Sequence, residues 1–272
     1  MKPRPFDYVR PETVDEALDV LAEHGDAARI LAGGQSLMAM LNLRLADPAV
    51  LIDITRIAEL DAIEDTGGAI EVGATVTQNK LLAWPDLAKK LPLLAAALPH
   101  VGHFQTRNKG TVCGSVAHAD PASEIPLSLA VLEGEVVLRS ARGTRVLAAA
   151  DFQQDMLSTA CEPDELITAV RFPVARTRGA AFREVSRRHG DFAIIAVAAI
   201  VDGPATVRLG VGGMAGRPAV RRIPADSVTD AIERLATELE GYEDLHASAA
   251  MRRDILRRLA PVVIAEAQKC AA

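Results

Sequence analysis

Apolar positions along the chain come in short runs of two periods. Residues 6–10 have the length of a short strand. Thr13 and Glu16 then stand at capping-box spacing, and Val14, Ala17, Leu18 and Leu21 follow on one helical face. Gly25 is placed to end that helix. Residues 28–31 read as a buried strand, 36–43 as a short helix and 50–54 as another strand. To this point the pattern is a small βαβαβ unit.

A second unit begins near Thr55. Residues 62–64 and 69–74 read as strands around the hairpin signal Gly67-Gly68. Residues 77–83 and 86–101 read as helices, and the Leu-Ala face of 87–98 reads as core. A polar segment at 103–110 precedes a helix at 123–132. Strands at 135–140 and 144–149 are joined by Arg142-Gly143, and a strand at 166–172 is ended by Pro173. Residues 174–179 look like a linker. Beyond it, 181–186, 192–202 and 205–211 read as long strands, with Asp202-Gly203-Pro204 as a tight turn, and 228–239 and 247–268 read as helices. Strands followed by helices predict an α+β unit whose sheet is covered on one side. The expected division is 1–174 (subdomains about 1–55 and 56–174) and 179–272. No internal repeat or low-complexity segment is present.

Two glycine stretches interrupt this pattern. The first is Leu31-Ala32-Gly33-Gly34-Gln35-Ser36-Leu37. The second opens Thr111-Val112-Cys113-Gly114-Ser115-Val116-Ala117-His118 and continues through Asp120 to Glu124. Each follows an apolar or β-branched run, is expected to turn on glycine, and presents a hydroxyl residue after the turn. Glycine reaches positive φ and lets backbone approach a ligand closely. Amides exposed at such turns suit anionic oxygen. Two of them can grip one diphosphate from both sides.

Composition narrows the classes. The chain has 272 residues, 49% hydrophobic and 24% charged, the balance of an ordinary globular protein with a sizeable core. A formal charge of −6 with interspersed signs argues against a nucleic-acid binder, and 3% aromatic residues argue against a base-stacking platform. Cys113, Cys161 and Cys270 are isolated, which suits a reducing cytosol and excludes a cluster or four-cysteine zinc site held by this chain alone. The N-terminus lacks the apolar run of a signal peptide, and no stretch is long and apolar enough to span a membrane. A cytoplasmic protein is expected.

At the glycine stretches the sequence resembles the FAD-binding (medium) subunit of molybdenum hydroxylases, the carbon monoxide dehydrogenase and xanthine dehydrogenase group. Residues 32–37 and 111–121 resemble its two FAD-binding motifs. Gln105-Thr106-Arg107-Asn108-Lys109-Gly110 resembles the lead-in to the second. Phe182 to Arg188 with Asp191-Phe192-Ala193 resembles a third motif, and Gly212 to Pro218 the glycine turn of the C-terminal domain. The pieces stand in family order over nearly the whole chain. The resemblance implies a vanillyl alcohol oxidase/PCMH-type FAD-binding domain of two α+β subdomains, followed by a C-terminal α+β domain of the carbon monoxide dehydrogenase flavoprotein type. It implies FAD contacts from Leu31, Ala32, Gly33, Gly34, Gln35, Ser36, Leu37, Thr111, Gly114, Ser115, Ala117 and Asp120. Glu124 matches an acidic residue on the adenosine part, Val101 and Ile167 match apolar positions, Arg183 a basic position near the flavin ring, and Phe192 the position facing the isoalloxazine. It further implies a large molybdenum-cofactor subunit and a small subunit with [2Fe–2S] clusters as partners, in a single or doubled heterotrimer. Electrons would pass from molybdenum through the clusters and FAD to an external acceptor. No catalytic acid–base residue and no metal ligand is expected on this chain.

The sequence departs from the family pattern at Cys113, where a glycine is usual, at Thr106, usually isoleucine, and at Arg183, usually lysine. The four-cysteine insertion of the hydroxybenzoyl-CoA reductase branch is absent. Cys113 reads as a small buried residue rather than a reactive thiol, and His118 as a packed or capping residue rather than a ligand. Asp120 stands evenly between fixing its own turn and touching the cofactor. Arg187-Arg188 stand evenly between a solvated pair and a face toward flavin or partner. Arg252, Arg253, Arg257 and Arg258 read as a solvated basic face. Two competing functions are a stand-alone flavin oxidase of the vanillyl alcohol oxidase superfamily and a scaffold that has lost FAD. A Rossmann NAD protein is disfavoured because the first turn lacks G-x-G-x-x-G.

Overall fold

The computed structural model describes residues 2–174 and 179–271. The expected linker at 174–179 falls, except for its two end residues, outside them. The described residues form sheets of three, five, four and two strands. In the first, Val50–Asp53 runs parallel between Asp7–Val9 and Ala28–Leu31. Parallel neighbours require crossovers, which carry the helices Val14–His24 and Leu37–Leu43. Val14, Ala17, Leu18 and Leu21 are buried as the periodicity predicts. Thr13 accepts from the Glu16 amide at 3.2 Å, whereas Glu16 accepts from the amide of Glu12, one residue short of a closed capping box. At the sheet's far end Leu31 pairs with Asp53. The Asp53 carboxylate accepts from the Thr55 amide and hydroxyl at 2.9 and 2.6 Å and from the Tyr8 hydroxyl. These bonds fix the edge from which the first glycine stretch leaves.

The five-stranded sheet is antiparallel, in the order Ile63–Asp65, Ala69–Gly73, Leu166–Pro173, Glu135–Ser140, Gly143–Ala148. The single helix expected at 86–101 is broken into Leu87–Lys90, Pro92–Ala97 and a 3₁₀ turn Leu98–His100. Proline is the cause: Leu91, ahead of Pro92, sits at φ −131°, ψ 62°, because the ring disfavours a helical residue before it. The short helix Ala149–Phe152 and the hairpin of Gln153–Asp155 with Ser158–Thr159 are too short to show a period, and the sequence did not indicate them.

The C-terminal sheet runs Ala180–Ser186, Ala193–Val201, Thr206–Gly212, Ala219–Pro224, all antiparallel. It corrects the expectation of a sheet covered on one side. The helices Val228–Glu238 and Ala249–Ala271 cover one face, and the other lies on Pro92–Ala97 and Glu124–Val131 of the preceding unit. Residues 193–200 are buried without interruption, the apolar run of a strand enclosed on both faces. Gly210 permits the approach: a Cβ there would stand 2.2 Å from Cγ2 of Val131. The strand Ala219–Pro224 was missed because Arg221 and Arg222 charge it, as suits a sheet edge.

The solvated basic face expected of Arg252, Arg253, Arg257 and Arg258 is corrected at Arg252. Arg252 is 1% exposed. Its guanidinium donates to the carbonyls of Ile194, Gly213 (2.8 Å) and Tyr242 (3.1 Å), pairs with Asp244 at 2.5 Å, and lies 4.1 Å from the centre of the Tyr242 ring. It ties the long helix to the glycine turn after the third strand. Replacing Arg252 with Met removes the cation these acceptors share and should cost about 3 kcal/mol, read as a lower urea midpoint. An unchanged midpoint would contradict the clamp.

Candidate functional site

The two glycine stretches meet. A Cβ on Gly33 would stand 2.1 Å from the carbonyl oxygen of Lys109 and 2.8 Å from Cα of Gly110, so no other residue fits there without moving backbone. Gly34 follows at φ +68°, the left-handed conformation that favours glycine. Residues 31–34, Ser36 and Leu37 are half-buried, and Gln35 is exposed. Among the described residues the amides of Gly33, Gly34, Gln35 and Ser36 meet no hydrogen-bond acceptor. The Leu37–Leu43 helix begins beyond them.

The second stretch differs from the expected turn. Thr111 caps the helix Val112–His118, accepting from the Gly114 amide at 2.9 Å, and Gly114 and Cys113 both lie inside the helix. Neither has positive φ, which is why cysteine is tolerated where the family pattern has glycine. Gly114 is required for a different reason: a Cβ would stand 2.7 Å from Oγ1 of Thr111 and push away the cap. Val112, Cys113 and Val116 face the core, and Gly114, Ser115 and His118 are half-buried on the other side. Cys113 donates to the Val72 carbonyl at 3.4 Å, and burial pushes its thiol far above the usual range.

Gln78 braces the second stretch. Its amide donates to the Gly110 carbonyl at 2.8 Å, its side-chain nitrogen to the Thr111 carbonyl at 3.5 Å, and Thr77 bridges Thr111. Its Oε1 is buried without a partner. No local pattern marked Gln78, because its partners Gly110 and Thr111 stand 32 and 33 residues away in sequence.

Other candidates divide. Val101 and Ile167 are buried in the main core, and Ala117 is exposed. Asp120 fixes its own turn, accepting from the Ala122 amide at 2.8 Å. Glu124 is 7% exposed at the first position of its helix, and burial pushes its carboxyl up to about 8. Arg183 is not brought to this group: it forms a bidentate pair with Glu266 on the last helix, at 2.9 and 2.5 Å. Its neighbours on the alternating strand, Phe182 and Glu184, face His100 instead. Phe192 is 69% exposed. Arg187 lies 3.5 Å from His246. A cavity of about 640 Å³ lies elsewhere, between the Glu124–Val131 helix and the edge strand, and none of the candidate residues lines it. Among the described residues no cluster of His, Cys, Asp or Glu is arranged to hold a metal, and no helix is long and apolar enough to cross a membrane.

The sequence profile of the family described as FAD binding domain in molybdopterin dehydrogenase matches residues 4–175. The chain belongs to this family. The nicotine 6-hydroxylase medium subunit of Paenarthrobacter nicotinovorans is 36% identical over 276 residues, 96% of either chain. Among solved structures, quinoline 2-oxidoreductase from Pseudomonas putida 86 superposes with a TM-score of 0.92 at 32% identity, and carbon monoxide dehydrogenase from Hydrogenophaga pseudoflava with 0.92 at 30%, each over 100% of both chains. The resemblance drawn from the motifs and the α+β fold it implied are therefore borne out. The residues present fit the cofactor, because a run of unpartnered amides turning on Gly33-Gly34 is the donor set that a diphosphate takes.

Two outcomes follow from this geometry. Gly33→Ala forces the stretches apart at a cost of about 1–3 kcal/mol, so FAD affinity should fall by on the order of tenfold. Gly68→Ala, with open space around it, should leave affinity unchanged; equal affinities would contradict the contact. A disulfide-exchange reagent should modify exposed Cys270 at once and half-buried Cys161 slowly, its thiol being pushed up to about 12, and should reach Cys113 only after denaturation.

Proposed function

We propose that the chain is the FAD-carrying, electron-transferring subunit of a molybdenum-containing hydroxylase. FAD when bound accepts electrons singly and passes them on singly or in pairs. The contact of the two glycine stretches beside free amides is the observation that supports this most directly. Residues 31–37 hold the diphosphate through amides, with the Thr111 and Ser115 hydroxyls on the facing side, where Gly114, its own amide spent on the Thr111 cap, leaves room for close approach. Ala117, Asp120 and Glu124 extend the site toward the adenosine part. Val101 and Ile167 supply its apolar wall, and exposed Phe192 is free to cover the ring. Arg183 contributes at most its backbone while it is paired with Glu266.

The binding unit spans 1–174, with subdomains meeting near residue 55, and 179–272 forms the C-terminal unit. A large molybdenum-cofactor subunit and a small [2Fe–2S] subunit complete a heterotrimer, single or doubled, in the cytoplasm. The relatives named above act in nicotine, quinoline and carbon monoxide oxidation. The substrate is read by the large subunit, so this chain needs no acid–base residue for it. Its task is to orient the cofactor between an electron donor on one side and an external acceptor on the other.

The test is the visible spectrum of the purified chain before and after acid precipitation. Flavin absorption that moves to the supernatant is expected of a cofactor held through backbone amides and hydroxyls. A yellow pellet would favour a stand-alone oxidase, and a chain that stays colourless after FAD is added would contradict the proposal.

A further inference from the structure

The cavity of about 640 Å³ that stands apart from the glycine stretches is walled by both units of the chain. One wall is apolar, with Val116, Pro126, Ala130 and Phe152 drawn from three helices of the first unit. The facing wall is the edge strand Ala219–Pro224 with its neighbours, and it is basic: Arg208, Arg217, Arg221 and Arg222 line it. A concave site of this size, apolar with a few placed polar groups, is the form that small organic ligands occupy.

The arginines are not equally neutralised. Arg208 and Arg222 stand opposite each other on adjacent strands. Like charges so placed repel, and two carboxylates hold them. Asp202 pairs with them at 2.8 and 3.0 Å, and Glu133, which also lines the cavity, at 3.1 and 3.0 Å. Arg221 pairs with Glu238. Arg217 differs. It is exposed, and its Nη1 donates to the Ala150 carbonyl at 3.1 Å, but among the described residues no carboxylate pairs with it. Asp155, which lies against Gly216, accepts instead from the Met156 amide at 2.8 Å. A second unmet donor belongs to Arg208, which is 7% exposed. Its Nη1 donates to the Val131 carbonyl at 2.9 Å, whereas its Nε is buried without a partner, a cost that a nearby acceptor relieves. Three carboxylates thus answer four arginines, and one positive charge is left at the cavity.

We propose that this cavity binds a small organic carboxylate with an apolar or aromatic body. The body lies against Pro126, Ala130 and Val220, and the carboxylate pairs with Arg217, whose planar fork matches it with two hydrogen bonds. An organic phosphate carries nearly two negative charges and would also meet Glu133, so one unanswered arginine suits the singly charged group. The ligand touches both units and holds the C-terminal sheet to the helix Glu124–Val131. The residues assigned to FAD do not line the cavity, so the two sites fill independently.

The experiment is calorimetric titration of the full chain with 1-naphthoate, with its uncharged counterpart 1-naphthamide and with inorganic phosphate, each with and without saturating FAD. 1-Naphthoate should bind once per chain with a Kd under about 1 mM, and equally well with FAD present. 1-Naphthamide should bind at least about tenfold more weakly, for want of the charged pair. Arg217→Gln, a change at an exposed side chain, should cost 1-naphthoate a similar factor and leave 1-naphthamide unaffected. Ala130→Phe, which fills the cavity, should abolish binding of both. Absence of saturable 1-naphthoate binding, equal affinity for the amide, or competition by FAD overturns the inference, and none of these needs a variant to fold. Unchanged 1-naphthoate affinity in Arg217→Gln also overturns it, as does phosphate binding as tightly as 1-naphthoate, which would leave the apolar wall without a role.

Discussion

One steric constraint underlies the site. Gly33 and the Lys109–Gly110 peptide occupy adjoining space with no room for a methyl group between them. The contact brings together a parallel βαβ unit and an antiparallel sheet that share no strand. Everything on the first side serves to place Gly33: the parallel register that brings Leu31 beside Asp53, and the Asp53 bonds that fix the strand end. Everything on the second serves to place Gly110: the Gln78 amide, the Thr77–Thr111 bridge and the buried side of the Val112–His118 helix. Among the described residues the amides of 33–36 meet no acceptor beside that contact.

The C-terminal sheet is a wall of this arrangement rather than an appendage. Its strand Ala193–Val201 is apolar on both faces, and Gly210 lets Val131 approach the backbone. Burying a sheet on both sides brings Glu184 within 3.5 Å of His100 across the junction. Arg252 performs the matching task on the other face, where its donors satisfy carbonyls at the glycine turn that begins at Gly212.

Much of this was legible in the sequence. The capping residue Thr13, the apolar face from Val14 to Leu21 and the hairpin around Gly67-Gly68 each express a local rule, and the structure follows them. The motifs identified the family because they hold residue types at fixed short spacing. What failed was non-local. The orientation of Arg183 depends on which sheet face meets Glu266; strand alternation says only that it opposes Phe182 and Glu184. Arg252 looked solvated because its acceptors are backbone carbonyls, which leave no mark in a side-chain pattern. The second stretch was expected to turn on its glycine, yet Gly114 is helical and serves only to clear the Thr111 cap.

The central claim is that the two glycine stretches form one cofactor site. Hydrogen–deuterium exchange of the full chain, with and without FAD, tests it most directly. The account predicts that peptides covering 31–37 and 111–117 gain protection together, at the same FAD concentration. Protection of one stretch without the other, or protection confined to the cavity lined by Arg208, Arg217 and Arg221, would contradict it.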